Sequence, residues 1–559
     1  MQKNKIIYLV FFATVALAAT GCKKQLNVGN PNLPTLEGNV STESGLISFA
    51  QGGVYINGFV NGDVWLGDSY FSLPWAYSEL MGDVLGGGEG SNNQTTTIGV
   101  PDYILLDNGT RLTNPSPQIA LIRLYNNRSA TANANNTTYY QWLNMYAMNA
   151  ACNKVLSLVD KIKLSGDATT RANTIKAWCY WWKGYAYASI GTLYYSGLID
   201  NTADSINNHY VVKDSIIAES NKYFSQAAQV LTSGISNAGD YNTVLGELIP
   251  SFCQTGKGGV LTTDMWIRNI NTMLARNLLL SKLATFVNGV PGTTITKSST
   301  SAMTAADWTS VLNYATNGIK SSDLVFTGRT VETNYFFSAT GGSVAAVTVG
   351  KNKNTTLKVS ERLVQDFNPG DQRLAMNFNA ATTFVNNYSF TTRYSVNDTT
   401  TGSTGVYAYA TRAVGEYELF IAGSYEENEL MLAEANIWLG NTDAGLGHLD
   451  IVRSFQGAGI AAVAGTGLSK AQALAELVKE RRVSLLFRGL SFYDARRWGW
   501  TYDVSNGGGS YGNTVVSSGT VFTNATINYN FLDFWDIPAD ETDLNRPDAT
   551  SAAVVNPNF

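Results

Sequence analysis

The sequence contains few charged side chains. Lys, Arg, Asp and Glu make up 14% of its 559 residues, whereas an average soluble domain contains about 25%. Asn, Thr, Ser and Gly take their place, and such a surface suits neutral, hydroxyl-rich ligands better than polyanions. The formal net charge of −5 argues against nucleic-acid binding, because neutralising phosphates requires clustered Lys and Arg.

Histidine and cysteine are also scarce, which limits catalytic and metal-binding chemistry. The two histidines, His209 and His448, have no nucleophile nearby, and the four cysteines show no metal-ligand spacing. The motifs H-E-x-x-H and G-x-S-x-G do not occur. We therefore predict no catalytic residue, no metal site and no cofactor. A glycosidase's pair of carboxylates remains open, because such a pair is close in space rather than in sequence. Cys152 and Cys179 lie in apolar helical patterns and are predicted to be buried.

Long hydrophobic runs are absent except near the start of the chain. Residues 6–19 are almost unbroken in apolar character behind Lys3 and Lys5, a run shorter than the ~20 residues of a membrane-spanning helix. The run is typical of a secretory signal peptide, and small residues precede Cys22. We predict that residues 1–21 are a lipoprotein signal peptide and that the Cys22 thiol carries the lipid. Ordinary secretion with an incidental cysteine is the alternative. Removing residues 1–21 leaves 36 basic and 43 acidic residues, a net charge of −7.

Most of the remaining chain shows the apolar spacing of helices joined by long loops. Residues 86–118 are predicted to be loop, and residues 325–423 are predicted to hold short strands, as in the segments VAAVTV and YAYATRAV. Gly166 and Asp167 predict a helix stop followed by a cap, and Ser469 with Gln472 predicts a capping box. The predicted helices cover residues 138–161, 170–195, 214–232, 264–285, 305–319, 424–440 and 469–488.

Some of these helices resemble stacked pairs. Trp181, Gly184 and Tyr187 keep part of the tetratricopeptide pattern, in which a small residue allows two helices to approach and aromatic rings fill the space between them. This partial match predicts a mostly α fold with a helical-repeat scaffold.

Sequence motifs in a fixed order make the resemblance specific. They include WLNMYAMNAACNKVL, KAWCYWWKGYAYASIGTLY, INTMLARNLLLSKL, ETNYFFS, DQRL, SYEENELMLAEANIWLG, LDIVRSFQGAG, FWDIPADETDLN and the terminal NPNF. The segment LVKERRVSLLFRGLSFYDARRWG, residues 477–499, resembles the hallmark of the SusD/RagB family of outer-membrane nutrient-binding lipoproteins. The segment departs from that hallmark at Ser484, Arg488 and Ser491, so the ion pairs usual at those positions are expected to be lost.

The resemblance implies a mostly α, SusD-like fold for residues 22–559. Tetratricopeptide-like helix pairs would occupy the N-terminal part, about 22–245, and a loop-rich part with a few short strands would occupy about 264–559. It also implies an outer-membrane location through the lipid anchor, facing the cell surface, and a SusC-like TonB-dependent transporter as partner. The implied ligand is a glycan. A peptide ligand, or a helical-repeat scaffold that binds only proteins, remains the alternative.

Two sets of residues are candidates for the site. The segment at 62–83 combines aromatic rings for stacking on sugars with acids for hydrogen bonds, and its candidate ligand residues are Trp65, Asp68, Tyr70, Trp75, Tyr77 and Asp83. Their alternative role is to pack this segment onto the helical repeats. The hallmark set is interpreted first as a structural lock in the core and second as a ligand site, with Glu434 and Asp494 expected to pair with Arg482. Its members are Glu434, Arg481, Arg482, Asp494, Arg497 and Trp498.

Overall fold

The computed structural model describes residues 40–59, 73–87, 98–115, 118–126, 138–283, 303–329, 357–384, 390–396 and 418–557. The predicted signal peptide at 1–21, Cys22, and the candidate ligand residues Trp65, Asp68 and Tyr70 lie outside the described residues. The predicted strand segments VAAVTV and YAYATRAV also lie outside them.

The described part of the chain is mostly helical, as predicted. The helices are α1 (Glu43–Phe59), α2 (Leu73–Met81), α3 (Gln118–Tyr125), α4 (Tyr139–Leu158), α5 (Ala168–Leu193), α6 (Lys213–Ser233), α7 (Ala238–Leu248), α8 (Thr263–Ser281), α9 (Ala305–Thr316), α10 (Glu361–Gln365), α11 (Gln372–Asn377), α12 (Tyr425–Trp438), α13 (Thr442–Phe455), α14 (Lys470–Ser484), α15 (Ser491–Arg497) and α16 (Ala539–Thr542). The helix predicted to run to residue 488 therefore ends four residues earlier, at Ser484.

Short antiparallel strands connect the helices. They are β1 (Leu85–Gly87), β2 (Tyr103–Leu105), β3 (Arg111–Thr113), β4 (Ser196–Leu198), β5 (Tyr210–Val212), β6 (Thr327–Arg329), β7 (Leu357–Val359), β8 (Phe378–Phe384), β9 (Phe390–Val396), β10 (Glu418–Phe420), β11 (Ser510–Ser517) and β12 (Thr520–Asn528). Six of them form one sheet in the order β3-β2-β12-β11-β9-β8. The prediction of loop over 86–118 is therefore wrong for β2 and β3. β3 pairs with β2, and β2 also pairs with β12, which lies more than 400 residues away in the chain.

The helix boundaries follow the local signals of the sequence. Gly166 adopts a positive φ of 53°, which ends the preceding segment, and the Asp167 carboxylate accepts the Thr170 N–H at the start of α5. Ser469 and Gln472 form a capping box at the start of α14. Both predicted caps are confirmed, and each satisfies backbone N–H groups that have no partner inside the helix.

The close packing of α5 against α6 depends on a glycine. A methyl group at Gly184 would lie 2.7 Å from the ring of Phe224 on α6, closer than packed carbon atoms approach. Trp181 and Tyr187 on the same helix are buried. The predicted close approach of two helices at Gly184, with aromatic rings filling the space around it, is confirmed.

The main core lies where α5 meets the C-terminal part of the chain. Trp178, Trp181 and Trp182 are fully buried, and the ring of Phe326 lies 4.9 Å from that of Trp181. Cys152 and Cys179 are buried thiols, as predicted. Among the described residues, none of the helices has the length and apolar character needed to cross a membrane.

Candidate functional site

A cleft of about 620 Å³ opens beside helix α14, within the ~300–1,000 Å³ of small-molecule pockets. Four separated parts of the chain form it: the end of α12, the exposed face of α14, the turn after α15, and the start of β11. Residues from α10 and the turn after α2 form its floor. We call this feature the α14 cleft.

Three tryptophans and the aliphatic side chains of α14 line the cleft. Leu474 and Val478 lie one helical turn apart and therefore share a face of α14. Trp438 is partly buried and stacks on Trp308 behind it, with ring centroids 5.7 Å apart. The partly buried rings of Trp498 and Trp500 lie 5.3 Å apart at an interplanar angle of 56°. These rings give the cleft a rigid apolar wall.

Asp83 anchors one half of the cleft floor. The Arg362 guanidinium donates to both of its carboxylate oxygens, at 2.7 and 2.9 Å, and the Ser360 and Tyr529 hydroxyls each donate at 2.8 Å. Burial would raise the pKa of Asp83, but the Arg362 charge and these hydrogen bonds outweigh it and hold the pKa below its ordinary value. Asp83 is therefore an anchored carboxylate rather than a proton donor.

Arg482 occupies the other half of the cleft floor. It donates to the Gly82 carbonyl at 2.6 Å, to the Asp83 carbonyl at 2.9 Å and to the Asp366 carboxylate at 2.5 Å. Its guanidinium also lies 5.0 Å from the ring centre of Trp500. Burial raises the pKa of Asp366 even though Arg482 opposes the shift. The prediction that Arg482 pairs with Glu434 or Asp494 is wrong, because the residue faces α2 and α10 rather than α12 and α15.

The other hallmark residues form a buried network beside the cleft. Arg481 donates to Asp494 at 2.9 Å, Arg497 donates to Asp494 at 2.7 Å, and Arg497 also holds both oxygens of Glu434. Two arginines lower the pKa of Asp494, although burial acts in the opposite direction. This buried network fits the first interpretation of the hallmark set, in which these residues hold the core together. Glu434 and Trp498 nevertheless also line the cleft.

The three departures from the hallmark have their own partners. Arg488 lies 3.4 Å from Glu426 and 3.9 Å from the ring centre of Phe420. The Ser491 hydroxyl donates to the Ser78 carbonyl at 2.9 Å. Ser484 donates to Glu480 within the core. Positions 488 and 491 are therefore bonded to different parts of the molecule.

The described residues of the 62–83 candidate set are buried. Trp75 and Tyr77 lie on α2 and are 4% and 2% exposed, and the Trp75 indole N–H donates to the Phe487 carbonyl at 3.1 Å. The Trp75 ring packs α2 onto the segment that follows α14, and the Tyr77 ring lies 6.4 Å from that of Trp535. Their burial leaves no face for stacking on a ligand. Asp83 lies at the cleft floor. A ligand role for Trp65, Asp68 and Tyr70 stays a prediction.

Sequence reasoning did not identify the α14 cleft. Trp438, Trp500, Leu474 and Tyr511 line it, but they lie on separate segments of the chain and share no common motif. The only local sign is the Trp498-Gly499-Trp500 triplet, which places two rings next to a glycine of positive φ at 81°.

Comparison with known proteins supports the resemblance. The family model described as "SusD family" matches residues 425–554. A SusD-like carbohydrate-binding protein from Bacteroides vulgatus shares the fold with a TM-score of 0.51 and 13% identity, over 92% of this chain and 98% of the other.

Two further solved structures have the same fold. A SusD superfamily protein from Bacteroides fragilis aligns with a TM-score of 0.52 and 11% identity, over 90% of this chain and 97% of the other. One from Bacteroides thetaiotaomicron aligns with a TM-score of 0.51 and 13% identity, over 82% and 89%. No curated protein sequence matches the chain. Residues 425–554 therefore match the SusD family in sequence, and the chain as a whole shares its fold with solved SusD-like structures.

Proposed function

We propose that the chain is a nutrient-binding protein of the bacterial outer membrane. It is anchored by lipid at Cys22, holds an oligosaccharide in the α14 cleft, and passes it to a SusC-like TonB-dependent transporter. The observation that carries the proposal is a ligand-sized cleft with three tryptophans on its wall and polar groups on its floor. A solved structure with the same fold belongs to a protein described as carbohydrate-binding, which favours a sugar as ligand.

The chemistry of the cleft suits a sugar. Pyranose rings present flat apolar C–H faces, which stack on aromatic rings, and hydroxyl groups, which need directional hydrogen bonds. Trp498 and Trp500 supply the rings, and the neutral side chains of Gln365, Ser510 and Asn513 also line the cleft. Binding is non-covalent, and the transporter supplies the movement across the membrane.

A hydrolytic role fits the cleft poorly. A glycosidase needs one carboxylic acid that is protonated near neutral pH and a second carboxylate across the scissile bond. Asp83 is held ionised by Arg362, and Glu434 is bonded to Arg497. Burial raises the pKa of Asp366, but both of the other carboxylates in the lining are occupied by arginines, so neither is available as its partner. The cleft therefore supports binding without catalysis, and incubation with oligosaccharides should release no reducing ends.

A peptide remains the second candidate ligand, since an apolar side chain could also lie against the tryptophans. Titration calorimetry of the protein against panels of oligosaccharides and peptides separates the two. We expect an oligosaccharide to bind and Trp500→Ala to weaken that binding about tenfold or more, because roughly 1.5–3 kcal/mol accompanies the burial of one large apolar side chain. Tyr180→Ala, on α5 outside the cleft, is the control and should bind normally. Binding of peptides alone would contradict the glycan proposal.

The transporter is tested separately. The native protein is purified from detergent-solubilised outer membrane, and the proteins that accompany it are identified by mass spectrometry. We expect a large TonB-dependent barrel at near-equal amounts, and Cys22→Ala should release the chain from the membrane fraction. Absence of a barrel under detergents that preserve such complexes would leave a free-standing binder or a protein-binding scaffold.

A further inference from the structure

The charged side chains of the α14 cleft are arranged as pairs of opposite sign. Three pairs line the cleft or extend directly behind it, and each joins a carboxylate to a guanidinium. The pairs are Asp83–Arg362, Asp366–Arg482 and Glu434–Arg497.

Within each pair the guanidinium donates to the carboxylate. Arg362 holds both oxygens of Asp83, and Arg497 holds both oxygens of Glu434. Arg482 divides its donors between Asp366 and two backbone carbonyls. A charged group that leaves water for this cleft would lose its hydration without gaining a counter-ion, and a buried charge without a partner is strongly unfavourable.

The remaining charged residue of the lining lies at the rim. The Lys479 side chain is 41% exposed, and its ammonium lies 3.9 Å from Glu476 on the same helix. Exposed charges of this kind are screened by solvent and salt and contribute little to binding. Acidic residues also outnumber basic ones in the whole chain, 43 to 38, so the surrounding field does not attract anions.

The uncharged groups of the lining are suited to hydroxyl groups. Ser510 and Asn513 at the start of β11 are buried, whereas Gln365 and Tyr511 are exposed at the cleft edge. The side-chain carbonyl of Gln365 accepts the Thr514 N–H at 2.6 Å, which fixes the Gln365 side chain against β11. The Ser510, Asn513 and Tyr511 side chains also make hydrogen bonds within the chain. Hydroxyl and amide groups can form more than one hydrogen bond, so they can also bond to a sugar hydroxyl.

We infer that the α14 cleft selects uncharged oligosaccharides over those that carry a carboxylate or sulfate. This inference rests on the proposed function, in which the cleft binds a glycan. It assigns Asp366 the role of a specificity residue, because its carboxylate neutralises Arg482, a guanidinium that lines the cleft and lies 5.0 Å from the ring centre of Trp500 in the wall.

The test uses the full mature protein and two oligosaccharides of equal length and linkage, one neutral and one with a uronic acid in place of a neutral sugar. For the unmodified protein, we expect titration calorimetry to show at least tenfold weaker binding of the acidic ligand. Asp366→Asn leaves Arg482 held by the Gly82 and Asp83 carbonyls but frees its Nε donor from a carboxylate. We therefore expect the variant to bind the acidic ligand better, shifting the ratio of the two affinities about tenfold toward it.

A matched control changes a similar pair outside the cleft. Asp323 is buried and accepts from Arg268 at 2.6 and 2.7 Å, and Asp323→Asn should leave the ratio of affinities unchanged. Circular dichroism verifies that both variants are folded. The selectivity inference is overturned if the unmodified protein binds both ligands equally. It is also overturned if Asp366→Asn and Asp323→Asn show the same ratio of affinities for the acidic and the neutral ligand. In either case glycan binding itself stands. If neither ligand nor any other glycan binds, the proposed function and the inference both fail.

Discussion

Buried cations in two regions of the molecule are held by different kinds of partner. In the helix pair α4–α5, the Lys183 ammonium donates to the side-chain carbonyls of Asn149, at 2.8 Å, and Asn153. In the hallmark region, by which we mean residues 477–499 and the core side chains bonded to them, Arg373 lies between two carboxylates, Asp371 at 2.7 Å and Glu480 at 2.6 Å. The first cation is held by neutral amides and the second by formal negative charges.

The difference decides which region responds to pH. Amide dipoles do not offset the loss of hydration, so burial lowers the pKa of Lys183 to about 8. Opposing carboxylates do offset it, and the pKa of Arg373 is raised above its ordinary value although burial acts in the opposite direction. The helix pair therefore contains a cation that titrates within reach of neutral pH, whereas the arginines of the hallmark region stay charged.

The largest effect is expected in the hallmark region, from Glu480→Gln. Glu480 accepts from Arg373 at 2.6 Å and from Arg453 at 2.8 Å. The change removes the negative charge that offsets these two buried guanidiniums. We expect the free energy of unfolding, measured with urea, to fall by about 3–5 kcal/mol.

Asp214→Asn is the control for this experiment. Its partner Lys213 lies 2.7 Å away, but the Asp214 side chain is 75% exposed, so the change should have almost no effect on unfolding. Equal losses in Glu480→Gln and Asp214→Asn would show that the buried network does not stabilise the hallmark region.

An intermediate effect is expected where α2 meets the hallmark segment, from Glu79→Gln. Glu79 accepts the Gly489 N–H at 2.8 Å, and burial raises its pKa to about 7. Because the folded-state pKa lies above the unfolded value of 4.5, the folded chain binds more protons between those pH values. The stability that this group contributes is complete below pH 4.5 and is lost as the pH rises through 7.

The Glu79→Gln variant should lack that loss. At pH 8 we expect it to be more stable than the unmodified protein by on the order of 2 kcal/mol, whereas near pH 5 the two should differ little. The measurement is urea unfolding at both pH values. Two curves of stability against pH that run parallel would contradict the raised pKa of Glu79.

The smallest effect is expected in the helix pair, from Lys183→Met. The folded-state pKa of about 8 lies below the unfolded value of 10.5, so the unfolded chain binds more protons between them. Stability should therefore rise with pH from about 8 upward, and the variant should lack this rise, a difference of about 1 kcal/mol by pH 9.5. Measurements stop there because buried tyrosines such as Tyr223, with a pKa raised above its ordinary value, act in the opposite direction at higher pH. An identical slope in the variant would mean that Lys183 is not the titrating group.

Local sequence signals predict seven of the described helices, α4, α5, α6, α8, α9, α12 and α14, but not others such as α1 and α13. The helix α6 was expected at 214–232 and is observed at Lys213–Ser233, and the cap at Asp167 and the small residue at Gly184 have the expected roles. These features depend on neighbours within a few residues or on one close helix contact, which periodicity and capping rules describe.

Long-range pairing limited the prediction of the site. Arg482 and its partner Asp366 are 116 residues apart in the chain, and the hairpin β11–β12 that borders the cleft pairs with β9 and β2 from distant segments. A local hydrophobic pattern indicates which face of a strand is buried, but it does not indicate which distant strand is its partner. The interpretation of Trp75 as a ligand platform failed for a related reason, because its burial depends on packing against the segment that follows α14.

The most direct test of the account is a crystal structure of the mature protein with its best-binding oligosaccharide. We predict that the sugar lies in the α14 cleft with a ring stacked on Trp498 or Trp500, and that the Asp366–Arg482 pair remains intact beside it. A sugar bound elsewhere, with the α14 cleft empty, would contradict the central claim.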